Sequence, residues 1–369
     1  MMKKLKSMMR QLSIILSKRE RKLALFVLVL SILTFILIYH FKDIIHEKRL
    51  ETKSEEWEKL LNSYLNEEMS LKTISNKFPR DYNYLYDFFK PYLKNADENN
   101  FYKLKKLIQT IEMDEYYLNK LKKGIRKKKI RAAVFLGKIN EKMALPLLKR
   151  YIYKDDELLR NASMWAIAEI GEMDLYLDVL KVVLNKTSMT FEALTELSIH
   201  FGRDICFTVK ELLEEYLRDE RDFKNEFGIS DHAITALFID ILGYYRFKRS
   251  KGLLKRILRG DKKYYDDEVL IHIFKTLVKL KIPINVDLIR FLNHSNWVIR
   301  SQSARYVGKI KNNNYSDQLI DLLNDEKWWV RYYAAEALFM IGKVDLLKKI
   351  ANLGKDGAEI SNYILDMHN

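Results

Sequence analysis

Glycine and proline are in short supply, at 12 and 4 in 369 residues. Sheets joined by tight turns need more of both, because hairpins repeatedly call for positive or preset φ values. Long helices with short connections remain. One cysteine, Cys206, excludes an internal disulfide and any multi-cysteine zinc or iron–sulfur site. It lies in the apolar stretch Ile205, Cys206, Phe207 and reads as a buried structural thiol rather than a reactive one. Signatures of catalysis are missing as well. There is no G-x-G-x-x-G, no phosphate-binding G-x-x-x-x-G-K-[ST] and no G-x-S-x-G. The seven histidines are scattered, with no H-E-x-x-H and a single His-Glu dipeptide, His46–Glu47.

What is present is apolar surface and positive charge. The chain is 48% hydrophobic and 31% charged, enough to build a sizeable core. Its net charge is +15, and about half of that excess falls in residues 1–42. The remainder is only moderately basic, which disfavours nucleic acid as the main partner.

Leu23 to Phe41 contains no formal charge and is dominated by Leu, Ile, Val and Phe. A helix of that length rises roughly 28 Å, close to the thickness of a bilayer's hydrocarbon core. A cleavable signal would be shorter and followed by small residues. Here Tyr39, His40, Phe41 and Lys42 follow, so an uncleaved anchor is expected. Lys3, Lys4, Lys6, Arg10, Lys18, Arg19, Arg21 and Lys22 precede the run, against Lys42, Lys48, Arg49 and Lys53 after it. That bias orients the N-terminus to the cytoplasm and the body outside. Leu5, Met8, Met9, Leu12, Ile15 and Leu16 recur at helical spacing among basic residues. They suggest an interfacial helix on the anionic leaflet, with a disordered basic tail as the alternative.

The decisive signal is internal repetition. KKIRAAVFLGKIN (128–140), LRNASMWAIAEIG (159–171), IRSQSARYVGKIK (299–311) and VRYYAAEALFMIG (330–342) share one pattern. Lys129, Arg160, Arg300 and Arg331 stand in register, with 31 residues from Lys129 to Arg160 and again from Arg300 to Arg331. TFEALTELSIHFG (190–202), IDILG ending at Gly243 and EVLIHIFKTLVKLK (268–281) continue the pattern more weakly, around an insertion near 214–228. Six or seven repeats fit. Small residues let helices approach closely, Gly171 and Gly342 suit left-handed C-caps, and Asp156 and Asn296 suit N-caps. No helix pair of this kind can bury its apolar face alone, so pairs must stack.

At these residues the chain resembles the HEAT-repeat family in its short bacterial form; VRYYAAEALFMIG and LRNASMWAIAEIG are the closest matches. The resemblance spans about 113–369. It implies an all-α fold, a right-handed α-solenoid of helix pairs, here preceded by a single transmembrane helix. The family also pairs a turn Asp with a helix Arg six residues later. Asp325 and Arg331 keep that spacing, whereas Lys154 and His294 stand in the Asp position before Arg160 and Arg300. HEAT-type di-iron hydroxylases require several His-Glu pairs, which this sequence lacks. The expected organisation is a basic amphipathic segment at 1–22, a membrane helix at 23–41 and a helical stalk and cap at 42–112, broken near Pro79 and Pro91. The solenoid at 113–342 and capping helices at 343–369 complete it.

Two features suggest contacts with partners. Lys122, Lys123, Arg126, Lys127, Lys128, Lys129 and Arg131 form a cluster without an acid, and Arg246, Lys248, Arg249, Lys251, Lys255 and Arg256 form a second. Either could meet a phosphate-rich polymer, or be merely a solvated helix end. Trp297 and Trp328 are 31 apart at the first turn of successive helices, with Trp329 beside the latter. They are expected as an aromatic ladder that either anchors a partner or packs over the groove between repeats. The expected function is that of a membrane-held scaffold for a protein partner, such as a membrane-embedded or envelope-assembly complex. Binding of an anionic polymer is the alternative, and a HEAT-like DNA glycosylase a remote one. No catalytic, cofactor or metal residue is assigned, and no enzyme activity is expected.

Overall fold

The computed structural model describes residues 18–260, 266–354 and 357–368. Among them every regular element is helical and no strand occurs. The expected interfacial helix within 1–16 lies outside the described residues. The chain divides into two units, Met1–Tyr116 and Tyr117–Asn369.

The first unit opens with α1, Lys18–Leu65. Near its end Trp57, Leu61 and Tyr64 are buried beneath α2 (Leu71–Lys77), α3 (Tyr82–Asn95) and α4 (Glu98–Thr110). Trp57 meets Phe88 edge-on at 5.4 Å, and Phe78 stacks on Phe89 at 5.7 Å. Ser70 and Asp97 cap α2 and α4 through their side-chain oxygens, as short polar residues do at helix starts. The chain breaks before Pro79, as expected. At Pro91 it does not: α3 runs through the proline. The lost backbone donor is offset by Phe88, Phe89 and Leu93, buried on both sides of it, while Pro91 itself is exposed.

The apolar run 23–41 belongs to α1. Its side chains are described at 26–35, 37, 38 and 41, and all of these are exposed, Phe35 at 70%. Among the described residues no helix is long and apolar enough to cross a membrane, so they do not support the expected span. The rest of the run has side chains outside that set.

The second unit is an α-solenoid of helix pairs. α5 (Met113–Lys123), which carries the boundary, precedes α6 (Arg126–Lys138). Then come α7 (Leu145–Ile152) with α8 (Glu157–Ile170), and α9 (Tyr176–Lys186) with α10 (Phe191–Ile199). The insertion is a short helix, α12 (Phe223–Phe227), between α11 (Ile205–Leu217) and α13 (Asp231–Tyr244). It is pinned by the buried Phe223 and Phe227, and by Arg221, which bridges Glu215 at 2.8 Å and Glu226 at 2.6 Å. α14 (Lys251–Arg259) pairs with α15 (Asp267–Leu280), and α16 (Ile289–Leu292) with α17 (Trp297–Lys309). α18 (Ser316–Asp321) with α19 (Trp328–Met340), and α20 (Val344–Leu353) with α21 (Ala358–Met367), complete the stack. The second helix of each pair packs on the second helix of the next, as with α6 on α8, α13 on α15, and α17 on α19.

The repeat has a residue-level explanation. Asn140, Gly171, Gly202, Arg246, Lys281, Lys311 and Gly342 close their helices in the left-handed region, at φ between 47° and 88°. They occupy one position of the pattern, eleven residues beyond Lys129, Arg160, Phe191, Thr235, Leu270, Arg300 and Arg331. The weak middle repeats therefore keep the pattern at uneven spacing, stretched by α12 between Phe191 and Thr235 and again, to 35 residues, between Thr235 and Leu270. Glycine suits this position at 171, 202 and 342, while Asn140, Arg246, Lys281 and Lys311 occupy it at some strain. Other glycines serve close packing. A Cβ on Gly137 would lie 2.7 Å from the Ala166 Cα, and one on Gly308 would lie 2.8 Å from the Ala337 Cα. Asp156 and Asn296 cap α8 and α17, accepting from the amides of Leu159 and Val298.

The expected Asp325–Arg331 side-chain pair is not what forms. Arg160, Arg300 and Arg331 each donate to the backbone carbonyl six residues earlier, on Lys154, His294 and Asp325, at 2.8 Å. A carbonyl is present whatever the side chain, so Lys154 and His294 serve as well as Asp. The Asp325 carboxylate instead takes a bidentate contact from Arg300 of the preceding repeat, at 2.7 and 3.0 Å.

Candidate functional site

Two expected site residues come together at the end of the stack. Trp328 and Trp329 open α19, 41% and 50% exposed, and their rings meet edge-on at 4.8 Å. One helical turn on, Tyr332 stacks on Trp328 at 5.2 Å and Tyr333 on Trp329 at 6.0 Å, the neighbours that an i, i+4 spacing provides. Tyr363 of α21 approaches Trp328 at 6.0 Å and Tyr332 at 6.3 Å. From α17, Arg305 lies over the Tyr333 ring at 5.0 Å, within cation–π range. Burial is the main cause that raises the Tyr332 hydroxyl above its ordinary pKa. The surface is thus a mosaic of half-exposed rings with one guanidinium, rigid and amphipathic, of the composition that anchors protein partners.

The expected ladder is a different matter. Trp297 opens α17 and is 37% exposed, but among the described residues no ring contact joins it to Trp328. Trp328 turns instead to rings of its own helix and of α21. Tyr332 and Tyr333 were not among the expected site residues, although each follows a tryptophan by four residues, the spacing of helical neighbours. Tyr363 and Arg305 reach the cluster only through the stacking of helices.

The seven-residue basic cluster is divided by the fold. Arg126 pairs with Asp156 through Nε at 2.5 Å and Nη2 at 2.9 Å. That hydrogen bond holds the Asp156 carboxyl below the usual range and raises the Arg126 guanidinium. Lys129 lies over the Tyr151 ring at 5.1 Å, and Arg131 is half-buried in α6. Lys122, Lys123, Lys127 and Lys128 are exposed, and among the described residues they have neither hydrogen bond nor ion pair. The residue before α6, Ile125, offers no side-chain cap. The first turn of α6 thus sets cations against the positive end of its own dipole.

Among the described residues no group of three or more His, Cys, Asp or Glu is placed to hold a metal ion. His232, His272 and His294 each face a single aspartate, Asp266, Asp240 and Asp267 respectively.

The family model described as HEAT repeats matches residues 285–359, the stretch that runs from just before α16 into α21. Over that stretch the chain is similar to HEAT repeats. The aromatic cluster belongs to the HEAT repeats so matched, except for Tyr363, which lies just beyond them. No curated protein matches the sequence. Among solved structures, human deoxyhypusine hydroxylase in complex with glycerol is similar at 13% identity and a TM-score of 0.26. The match covers 86% of this chain and 97% of the hydroxylase.

Proposed function

We propose that this HEAT-repeat protein is a non-enzymatic scaffold, held at the cell membrane by residues 23–41 and recruiting a protein partner to its solenoid. One observation carries the reading. Phe26, Phe35, Ile38 and Phe41 are between 62% and 70% exposed on a helix whose run 23–41 has no charge. Water does not tolerate such a face uncovered, whereas a bilayer does. The lysine bias on either side orients the N-terminus to the cytoplasm and the solenoid to the outside. Tethering raises the effective concentration of the solenoid toward a membrane-embedded or envelope-assembly partner. Trp328, Trp329, Tyr332, Tyr333 and Tyr363 supply the contact, and Trp297 flanks it. The solenoid's handedness is that of the family, right-handed, and no cofactor takes part.

The test is fractionation followed by crosslinking. The full chain is expected in the membrane pellet after alkaline carbonate washing, and extracted only by detergent. An intact-cell protease digest is expected to remove the solenoid. A photo-crosslinker at Trp329 is expected to trap a discrete partner, and one at Lys142, away from the cluster, is not. Release by carbonate would overturn the anchor, and equal crosslinking from both positions would overturn the contact surface.

The unpartnered Lys122, Lys123, Lys127 and Lys128 favour a second reading, attachment to an anionic polymer such as a wall polymer. Changing Lys127, Lys128 and Lys129 to Glu should then abolish sedimentation with the polymer, and salt should weaken it steeply. Salt-independent sedimentation would count against it.

A further inference from the structure

Elsewhere in the solenoid, α11 and α14 enclose an open groove of about 760 Å³. α14 is sharply two-faced, with Leu253, Leu254, Ile257 and Leu258 buried. Its other stripe holds Gly252, Lys255, Arg256 and Arg259, spaced three and four residues apart, and Arg249, in the 3-10 turn Lys248–Ser250 that leads into α14, lines the groove beside them. Lys210 and Glu214 of α11 face them, one turn apart. Five cations thus meet a single carboxylate.

Four of the five charges are not neutralised. Lys210 takes Glu214 at 2.7 Å. Arg259 donates to the Asn285 carbonyl at 2.7 Å, and Arg249 lies over the Phe207 ring at 5.5 Å; neither contact cancels a charge. Lys255 and Arg256 have no hydrogen bond or ion pair among the described residues. Like charges at such spacing weaken a helix, so folding gains nothing from the arrangement. Gly252 adds an independent observation. It sits in the first turn of α14, and a Cβ there would meet nothing within 4 Å. No packing requires glycine, and its effect is to leave the wall of the groove bare.

We propose that this groove binds a ligand bearing two or more phosphate groups. Guanidinium groups recognise phosphate through paired hydrogen bonds, and lysine adds point charge. From Arg249 to Arg259 the basic lining runs about 15 Å, too far for one phosphate to satisfy. The volume falls within the range of roughly 300–1,000 Å³ typical of small-ligand sites. A soluble oligophosphate and a diphosphorylated lipid headgroup share this chemistry. The inference rests neither on the membrane anchor nor on the aromatic surface.

The experiment titrates the full chain, in dodecyl maltoside, with inorganic tripolyphosphate by calorimetry. A second arm uses micelles carrying cardiolipin, with phosphatidylcholine as control. Saturable binding to either probe is expected, weakening with salt. Lys255→Gln with Arg256→Gln should lower affinity about tenfold or more. Gly252→Met keeps every charge and should lower it too, by filling the groove, with helix content unchanged. Lys348→Gln with Lys349→Gln removes equal charge elsewhere, at exposed positions of α20, and should leave affinity unaltered. Binding of tripolyphosphate alone identifies a soluble ligand, and binding of cardiolipin alone a lipid. No saturable binding in either arm, equal losses in the two double variants, or wild-type affinity in Gly252→Met would each overturn the proposal.

Discussion

The contact between Arg300 and Asp325 is the most consequential pair in the last repeats. Both side chains are largely buried, at 13% and 8% exposure, and the same carboxylate accepts the Lys327 amide at 2.8 Å. Breaking a buried, bidentate pair leaves an uncompensated charge, which costs about 3 kcal/mol. Asp325→Ala should therefore shift the urea midpoint strongly. Glu67→Ala, which frees Lys103 from an exposed carboxylate, should shift the midpoint far less, because solvent screens such a pair. Cys206 gives a prediction of a different kind. Burial pushes its thiol up from 9.0 to about 11, so the folded chain keeps a proton that the unfolded chain releases. Its contribution to stability is complete below pH 9 and is lost as pH rises from 9 through 11. Iodoacetamide at pH 8 should leave native Cys206 unmodified and alkylate it in urea, and native labelling at the denatured rate would contradict the burial. The buried character of this cysteine was legible from its apolar neighbours. The partner of Asp325 was not, because a carboxylate six residues before an arginine says nothing about the arginine of the repeat before.

Helix against helix, the controlling feature is the close approach of second helices. Gly308 on α17 faces Ala337 on α19, and Gly137 on α6 faces Ala166 on α8, each pair 29 residues apart in the chain. A side chain at Gly308 has backbone in its way, not the end of a flexible group. Gly308→Val should accordingly cost about 3 kcal/mol by overpacking, measured as a loss in thermal midpoint. Small residues in the repeat pattern announced a close contact, and caps at Asp156, Asn296, Gly171 and Gly342 formed where expected. Two elements misled. Pro91 reads as a helix breaker, yet flanking aromatics hold α3 together across it. Trp297 and Trp328 share a repeat position, yet i, i+4 tyrosines on α19 and Tyr363 on α21 draw Trp328 away.

In the solenoid as a whole, each second helix leans on its predecessor and successor. Stability then sums over neighbouring contacts, and a local defect need not spread. Asp325→Ala should raise amide exchange across α16 to α21 while leaving α6 and α8 near wild type, followed by hydrogen-exchange mass spectrometry. Uniform deprotection of both regions would mean that the solenoid melts as one cooperative body.

Periodicity alone determined the class of this protein. Helix pairs that recur with a basic residue, small residues and a terminal turn cannot hide their apolar faces except against one another, and that is a property of composition and spacing. The uncharged run before them was equally plain, since it depends only on which residues are adjacent in the chain. Tertiary structure decided which charges share a space. Lys210 and Arg259 flank the groove from different helices, and Arg126 loses its freedom to an aspartate 30 residues away. Such encounters depend on how helices from different repeats abut, and the order of residues along one helix holds no record of them.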